Sequence, residues 1–101
     1  MSYAADKLNE RGVPFTEHYK GVLWKSGGNW INAATAAGVP YSKTPRVGDV
    51  AVRLNHVAYV EAVDSYGDVT VSEYNWVHWN DYVTRTISWG STGHPSYFIH
   101  F

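Results

Sequence analysis

The stretch that most constrains this chain is Asn55-His56-Val57-Ala58-Tyr59-Val60-Glu61-Ala62-Val63. It is followed by Asp64-Ser65-Tyr66-Gly67 and then Asp68-Val69-Thr70-Val71-Ser72-Glu73-Tyr74-Asn75-Trp76. Both arms alternate and are rich in Val, Thr and Tyr, and an Asp/Ser/Gly cluster separates them, so the pattern predicts a β-hairpin. Side chains alternate between the two faces of a strand. His56, Ala58, Val60 and Ala62 then share one face of the first arm, and Val69, Val71, Glu73 and Asn75 share one face of the second. A four-residue loop closed by Val63 and Asp68 sets these rows side by side, with His56 opposite Asn75 and Glu73 one diagonal step away. An imidazole beside a carboxylate and an amide is half of a catalytic constellation. A slip of one residue would send His56 and Glu73 to opposite faces, leaving a rim histidine and a solvated carboxylate.

At 101 residues the chain is expected to form one domain, residues 1–101, with a real core. The net charge of −1 gives no basic footprint for nucleic acid. No apolar run is long enough for a membrane span, and Met1-Ser2-Tyr3-Ala4 leads into a helix rather than a signal peptide. Cysteine is absent, which removes disulfides and thiol chemistry from the chain as given. Five Trp and eight Tyr against three Phe favour aromatic rings with polar tips, suited to a groove that stacks on sugars or extended peptides as well as to a β-rich core.

In chain order, Tyr3 to Arg11 has helical composition and is stopped by Gly12-Val13-Pro14. Residues 13–28 are irregular and polar-aromatic. A second helix is expected from Asn29, its N-cap, to Ala37, stopped by Gly38-Val39-Pro40, with Trp30, Ala33, Ala34 and Ala37 turned inward. Val50 to Leu54 reads as a strand feeding the hairpin, and further strands are expected near Val83–Ile87 and at Tyr97–Phe101. Two helices followed by four or five antiparallel strands make a small α+β domain.

Several chemistries lack their residues. There is no HExxH, no His-x-His and no EF-hand loop among five histidines and nine acids, so no metal is expected. Asp6 and Glu10 read as a solvated helix face. No P-loop and no GxSxG occurs. Glu61 and Glu73 fall on opposite faces of the hairpin, which disfavours a two-carboxylate glycosidase. Thiol hydrolysis needs a nucleophile at a helix N-terminus, a histidine to exchange its proton and a polar group behind that histidine. Everything but the nucleophile is present.

These residues resemble the CHAP domain, the cysteine- and histidine-dependent amidohydrolase/peptidase family of bacterial and phage cell-wall lysins. The matching segments are Tyr3-Ala4-Ala5-Asp6, Gly28-Asn29-Trp30-Ile31-Asn32-Ala33-Ala34, Ala36-Ala37-Gly38 and Thr44-Pro45-Arg46-Val47-Gly48-Asp49-Val50-Ala51-Val52. They continue with His56-Val57-Ala58-Tyr59-Val60-Glu61, Val71-Ser72-Glu73-Tyr74-Asn75-Trp76, Arg85-Thr86-Ile87 and Tyr97-Phe98-Ile99-His100. The resemblance implies a papain-like α+β fold, N-terminal helices packed on a small antiparallel sheet, cleaving amide bonds of peptidoglycan without a cofactor. The target is the muramoyl–alanine amide or a bond of the stem peptide or cross-bridge.

By motif position His56 is the general base, Glu73 orients and charge-stabilises it, and Asn75 supports it. Trp24, Tyr59, Trp76 and Trp79 are expected to line the substrate groove. The implied setting is extracellular or wall-associated, as a monomeric domain alone or within a larger lysin. The departure is at the nucleophile. Family members read Gln-Cys-x-(aromatic)-Tyr, and alignment on Tyr3 puts that Cys one residue before Met1; gaps of one or two residues would put Met1 or Ser2 in its place. The chain is thus expected to be a poor hydrolase as it stands. A non-catalytic wall-binding or structural module is the competing reading, and a zinc hydrolase using His56, Glu73 and another histidine is the third.

Overall fold

Both helices end on the same tripeptide, and the computed structural model shows why. It describes residues 3–24, 29–53, 56–75, 81–87 and 95–101. Helix α1 spans Tyr3–Glu10 and α2 spans Trp30–Ala37. After each, a glycine takes the left-handed conformation, Gly12 at φ 94° and Gly38 at φ 74°. The valine that follows then turns its N–H back onto the helix, Val13 to the Leu8 carbonyl at 3.0 Å and Val39 to that of Ala34 at 2.9 Å. This closure satisfies carbonyls that a helix end would otherwise leave bare, and Pro14 and Pro40 forbid continuation. Asn29 does sit at the cap position of α2, but its side chain makes no capping bond. Its amide donates instead to the Leu23 carbonyl at 3.1 Å, tying the helix start to the preceding loop.

Among the described residues, six strands form one sheet: β1 (Tyr41–Ser42), β2 (Val50–Arg53), β3 (His56–Val63), β4 (Val69–Asn75), β5 (Asp81–Ile87) and β6 (Tyr97–Ile99), in the order β1-β6-β2-β3-β4-β5. All described pairings are antiparallel. The expected four or five strands are exceeded by β1, a two-residue edge that composition does not announce.

Alternation along β2, β3 and β6 sends side chains to two separate cores. Val50, Val52, Tyr59 and Ile99 pack with Ala4, Ala5, Leu8, Trp30, Ala33 and Ala34 of the helices. Ala51, Ala58, Val60, Val69, Val71 and Phe98 form a second cluster on the other face. Small residues on α1 and α2 let the helices approach the sheet closely. Aromatic rings fill what remains: Phe15 stacks on Trp30 with centroids 4.9 Å apart, and Trp24 meets both edge-on at 5.3 and 5.5 Å. The irregular segment after α1 therefore contributes Phe15 and Trp24 to the core.

The hairpin departs from simple alternation at one point. Tyr59 pairs with Ser72 and Val60 with Val71, but the register then shifts, so that Ala62 faces Thr70 and Val63 faces Val69. Glu61 is the extra residue of a β-bulge. The bulge inverts the expected faces beyond it: Ala62 is exposed, and Val63 packs against the second core cluster. Apolarity decides the matter, because valine gains more from burial than alanine. Accordingly, Ala62→Lys should change stability by less than about 0.5 kcal/mol, as for ordinary surface substitutions. Val63→Lys should cost at least about 1 kcal/mol through lost packing. Urea midpoints of the two variants would check this; equal losses would remove the bulge.

Candidate active site

His56 opens β3 and pairs across to Arg53 at the end of β2. Glu73 lies near the end of β4. Continuing the Tyr59↔Ser72 register toward the open end of the hairpin sets Ala58 opposite Glu73 and His56 opposite Asn75. Below the bulge the register is the one that alternation predicts, so His56 and Glu73 share a face. Their side chains meet: His56 Nε2 is hydrogen-bonded to Glu73 Oε2.

Exposure is unequal across this pair. The Glu73 side chain is 12% exposed and the His56 side chain 54%. A carboxylate so far removed from water needs a strong donor, and the imidazole N–H supplies one. With Nε2 engaged by the carboxylate, Nδ1 is the ring nitrogen left to exchange a proton with a reactant. The tautomer follows from the carboxylate contact.

Helix α1 is held against the hairpin that carries this pair, packing on β3 and β4. Lys7 fastens it. Its ammonium lies 3.8 Å from Glu61 and 3.6 Å from Glu10, and 5.5 Å from the centre of the Tyr59 ring. Burial acts to lower the Lys7 pKa, but the Glu61 and Glu10 carboxylates outweigh it, and the net direction is upward from the ordinary 10.5. A group raised in this way contributes its full stabilisation below its unfolded pKa and loses it as pH climbs through the folded value. The clamp is therefore intact at neutral pH. The bulge is what presents Glu61 to it, as the residue inserted between Val60 and Ala62.

The other expected site residues divide clearly. Asn75 ends β4 with its backbone paired to Asp81; its side chain, Trp76 and Trp79 lie outside the described residues. Trp24 and Tyr59 are 1% and 8% exposed, inside the helix-side core. The Trp24 indole N–H donates to the Tyr19 carbonyl at 3.0 Å. An expected role for these two rings in a groove is corrected by that burial: neither presents a face to a ligand. Among the described residues, no three of His, Cys, Asp and Glu stand close enough to hold a metal ion. A polar cluster that no motif signals, Ser42, Asp49 and His100, gathers at the β1 edge.

Comparison with known proteins agrees with this architecture. Residues 1–75 match the CHAP domain family, to which the chain belongs. It is 45% identical over 85 residues to the staphylococcal secretory antigen SsaA of Staphylococcus aureus, covering 79% of this chain and 33% of that protein. The related antigen ssaA2 of the same organism is 42% identical over 85 residues, covering 79% of this chain and 32% of that protein. The chain thus spans about a third of the length of these curated relatives. The crystal structure of an N-acetylmuramoyl-L-alanine amidase from S. aureus superposes with a TM-score of 0.76 at 23% identity, covering 97% of this chain and 28% of that one. The α+β fold is shared with that amidase. Among the described residues, no helix is long and apolar enough to cross a membrane.

Proposed function

We propose that this chain is a peptidoglycan hydrolase domain of the N-acetylmuramoyl-L-alanine amidase or endopeptidase type, with peptidoglycan as substrate. The contact between His56 and Glu73 carries the reading, because it sets an imidazole against a carboxylate, as a general base and its orienter require. In the reaction, His56 Nδ1 takes the proton of a cysteine thiol as its sulfur attacks the scissile carbonyl. It returns that proton to the leaving amine, and water then hydrolyses the thioester with His56 again as base. Glu73 holds the ring by Nε2 and stabilises the imidazolium formed in each half-reaction. Asn75 supports the same ring, and Trp76 and Trp79 contact the wall polymer. Membership of the CHAP family and the name of its secretory antigen relatives support a wall-associated, extracellular setting.

Cysteine is absent from the sequence, so the chain as given is proposed to be inactive or nearly so. The same absence favours a second reading, a module that binds or structures the wall without cleaving it. Turbidity clearing of purified cell walls separates the two. The given chain should leave turbidity unchanged, and a version extended by Gln-Cys ahead of Met1 should clear it. If the extended form binds walls but leaves them intact, the binding-module reading replaces the hydrolase.

A further inference from the structure

Ser42, His100 and Asp49 come from three separate places in the chain: the edge strand β1, the residue after β6 and the turn before β2. Pairing of Tyr41 with Ile99 and Ser42 with Phe98 brings the first two together, and the His100 N–H fixes the crossing by donating to the Pro40 carbonyl at 2.8 Å. Ser42 Oγ then lies 2.7 Å from His100 Nε2, and His100 Nδ1 lies 2.8 Å from Asp49 Oδ2. The His100 and Asp49 side chains are 9% and 5% exposed, whereas Ser42 is half-buried. Hydroxyl, imidazole and buried carboxylate are thus in the order of a serine hydrolase relay. Such a relay is recognised by geometry and roles, since unrelated folds assemble it from different chain orders. That is why a search for GxSxG does not find it.

Two further contacts decide the protonation pattern. The Arg46 backbone N–H donates to Asp49 Oδ2 at 2.7 Å, holding the carboxylate in place. Arg46 Nε is 3.1 Å from His100 Nδ1 and 4.0 Å from Asp49 Oδ1. One ring nitrogen cannot accept from Arg46 and donate to Asp49 at once, and the nearer, buried carboxylate takes the N–H. Arg46, with a side chain 62% exposed, has room to turn its Nε aside. Nε2, at 2.7 Å, is then the nearer acceptor for the Ser42 hydroxyl, ahead of the Thr44 carbonyl at 3.4 Å. The Thr44 N–H also points at Ser42 Oγ, at 3.2 Å. From the next residue onward, Lys43, Thr44 and Pro45 form one side of an open, mostly apolar surface depression of about 290 Å³, with Ser65, Tyr66 and Gly67 of the hairpin turn on the other.

We propose that Ser42, His100 and Asp49 form a second, serine-type acyl-transfer centre that accepts small carboxylic esters, with the acyl group against the adjoining apolar depression. Ser42 Oγ bonds to the ester carbonyl carbon while His100 Nε2 takes its proton. The tetrahedral adduct expels the alcohol, which receives that proton, and water attacks the acyl-serine with His100 again as base. Asp49 is a positioning residue. The centre needs no cysteine and is independent of His56 and Glu73.

The test is covalent labelling of the given chain with a fluorophosphonate, where the Oγ–P bond forms, the P–F bond breaks and the hydroxyl proton passes to His100. Mass spectrometry of the digest should place the label on Ser42, and p-nitrophenyl acetate should show a burst of p-nitrophenol that Ser42→Ala abolishes. His100→Gln should slow labelling on the order of 10²-fold with its circular dichroism retained. A purely structural Ser42–His100 bond would yield no label on the native chain beyond that of the urea-unfolded chain, and that result overturns the proposal. So does labelling unaffected by His100→Gln. Should that variant fail to fold, the contrast between native and unfolded wild-type chain decides alone.

Discussion

In a version of this chain extended by Gln-Cys, His56→Ala is expected to reduce wall clearing by on the order of 10³-fold, within the range that a positioned general base contributes. The expectation follows from the half-exposed ring with its carboxylate-bound Nε2. Without it, the thiol keeps its proton at neutral pH and the leaving amine has no acid to receive one from. Glu73→Gln tests the second half of the pair. The amide keeps the size of the side chain and loses the charge that steadies the imidazolium, so kcat should fall with KM little changed. Because Glu73 is largely buried and bonded to His56, some of the loss will come from a ring that turns away from its working position. Initial clearing rates on a defined muropeptide would resolve kcat from KM. Full activity of the His56→Ala form would end the assignment, since no other described residue stands in its place on the hairpin.

The second large effect is on stability. Trp24→Ala should cost on the order of 3–5 kcal/mol, the range for large aromatic truncations in cores. In a domain of this size that corresponds to a fall in melting temperature of about 15 °C or more. Trp24 is 1% exposed, meets Phe15 and Trp30 edge-on, lies 5.5 Å from the Phe101 ring, and gives its indole N–H to Tyr19. Removing it leaves a cavity and takes from the Tyr19 carbonyl one of its two donors, the other being the Val22 N–H. Trp24→Phe keeps much of the ring and loses the hydrogen bond, so its cost should be nearer 1–2 kcal/mol. Thermal melts and wall pull-down of both variants make the comparison. A Trp24→Ala chain that melts normally but no longer binds walls would return this residue to the substrate groove.

Much of this molecule is readable from local pattern. The two Gly-Val-Pro stops, the Ala-rich face of α2 and the alternation of the hairpin each rest on near neighbours in the chain. They hold because a positive φ, a missing N–H and a two-residue period are local constraints. The meeting of His56 with Glu73 is readable for the same reason. A hairpin with a short turn carries its register outward from the loop, and the apolar row leaves that register little freedom. The bulge at Glu61 is less legible. It depends on whether Ala62 or Val63 finds the better burial against Val69 and Val71, and on Lys7 arriving from another element to meet the inserted carboxylate. Aromatic residues mislead for a related reason. Trp24 and Tyr59 have the composition of a binding groove, and only packing against Phe15, Trp30 and the helices shows them to be core.

By itself, then, the sequence determines the helix stops, the hairpin, the placement of an imidazole and a carboxylate on one face of that hairpin, and the lack of a thiol. Those follow from backbone restrictions and from residue identities that no fold can change. Tertiary structure alone decides which aromatic rings are buried, where the strand slips, and that Ser42, Asp49 and His100 meet. These three are brought within hydrogen-bond reach by pairing both β1 and β2 with β6, Ser42 and His100 being 58 positions apart in the chain. A contact between residues so far apart in sequence is set by how the whole sheet closes, and no short window of the chain encodes it.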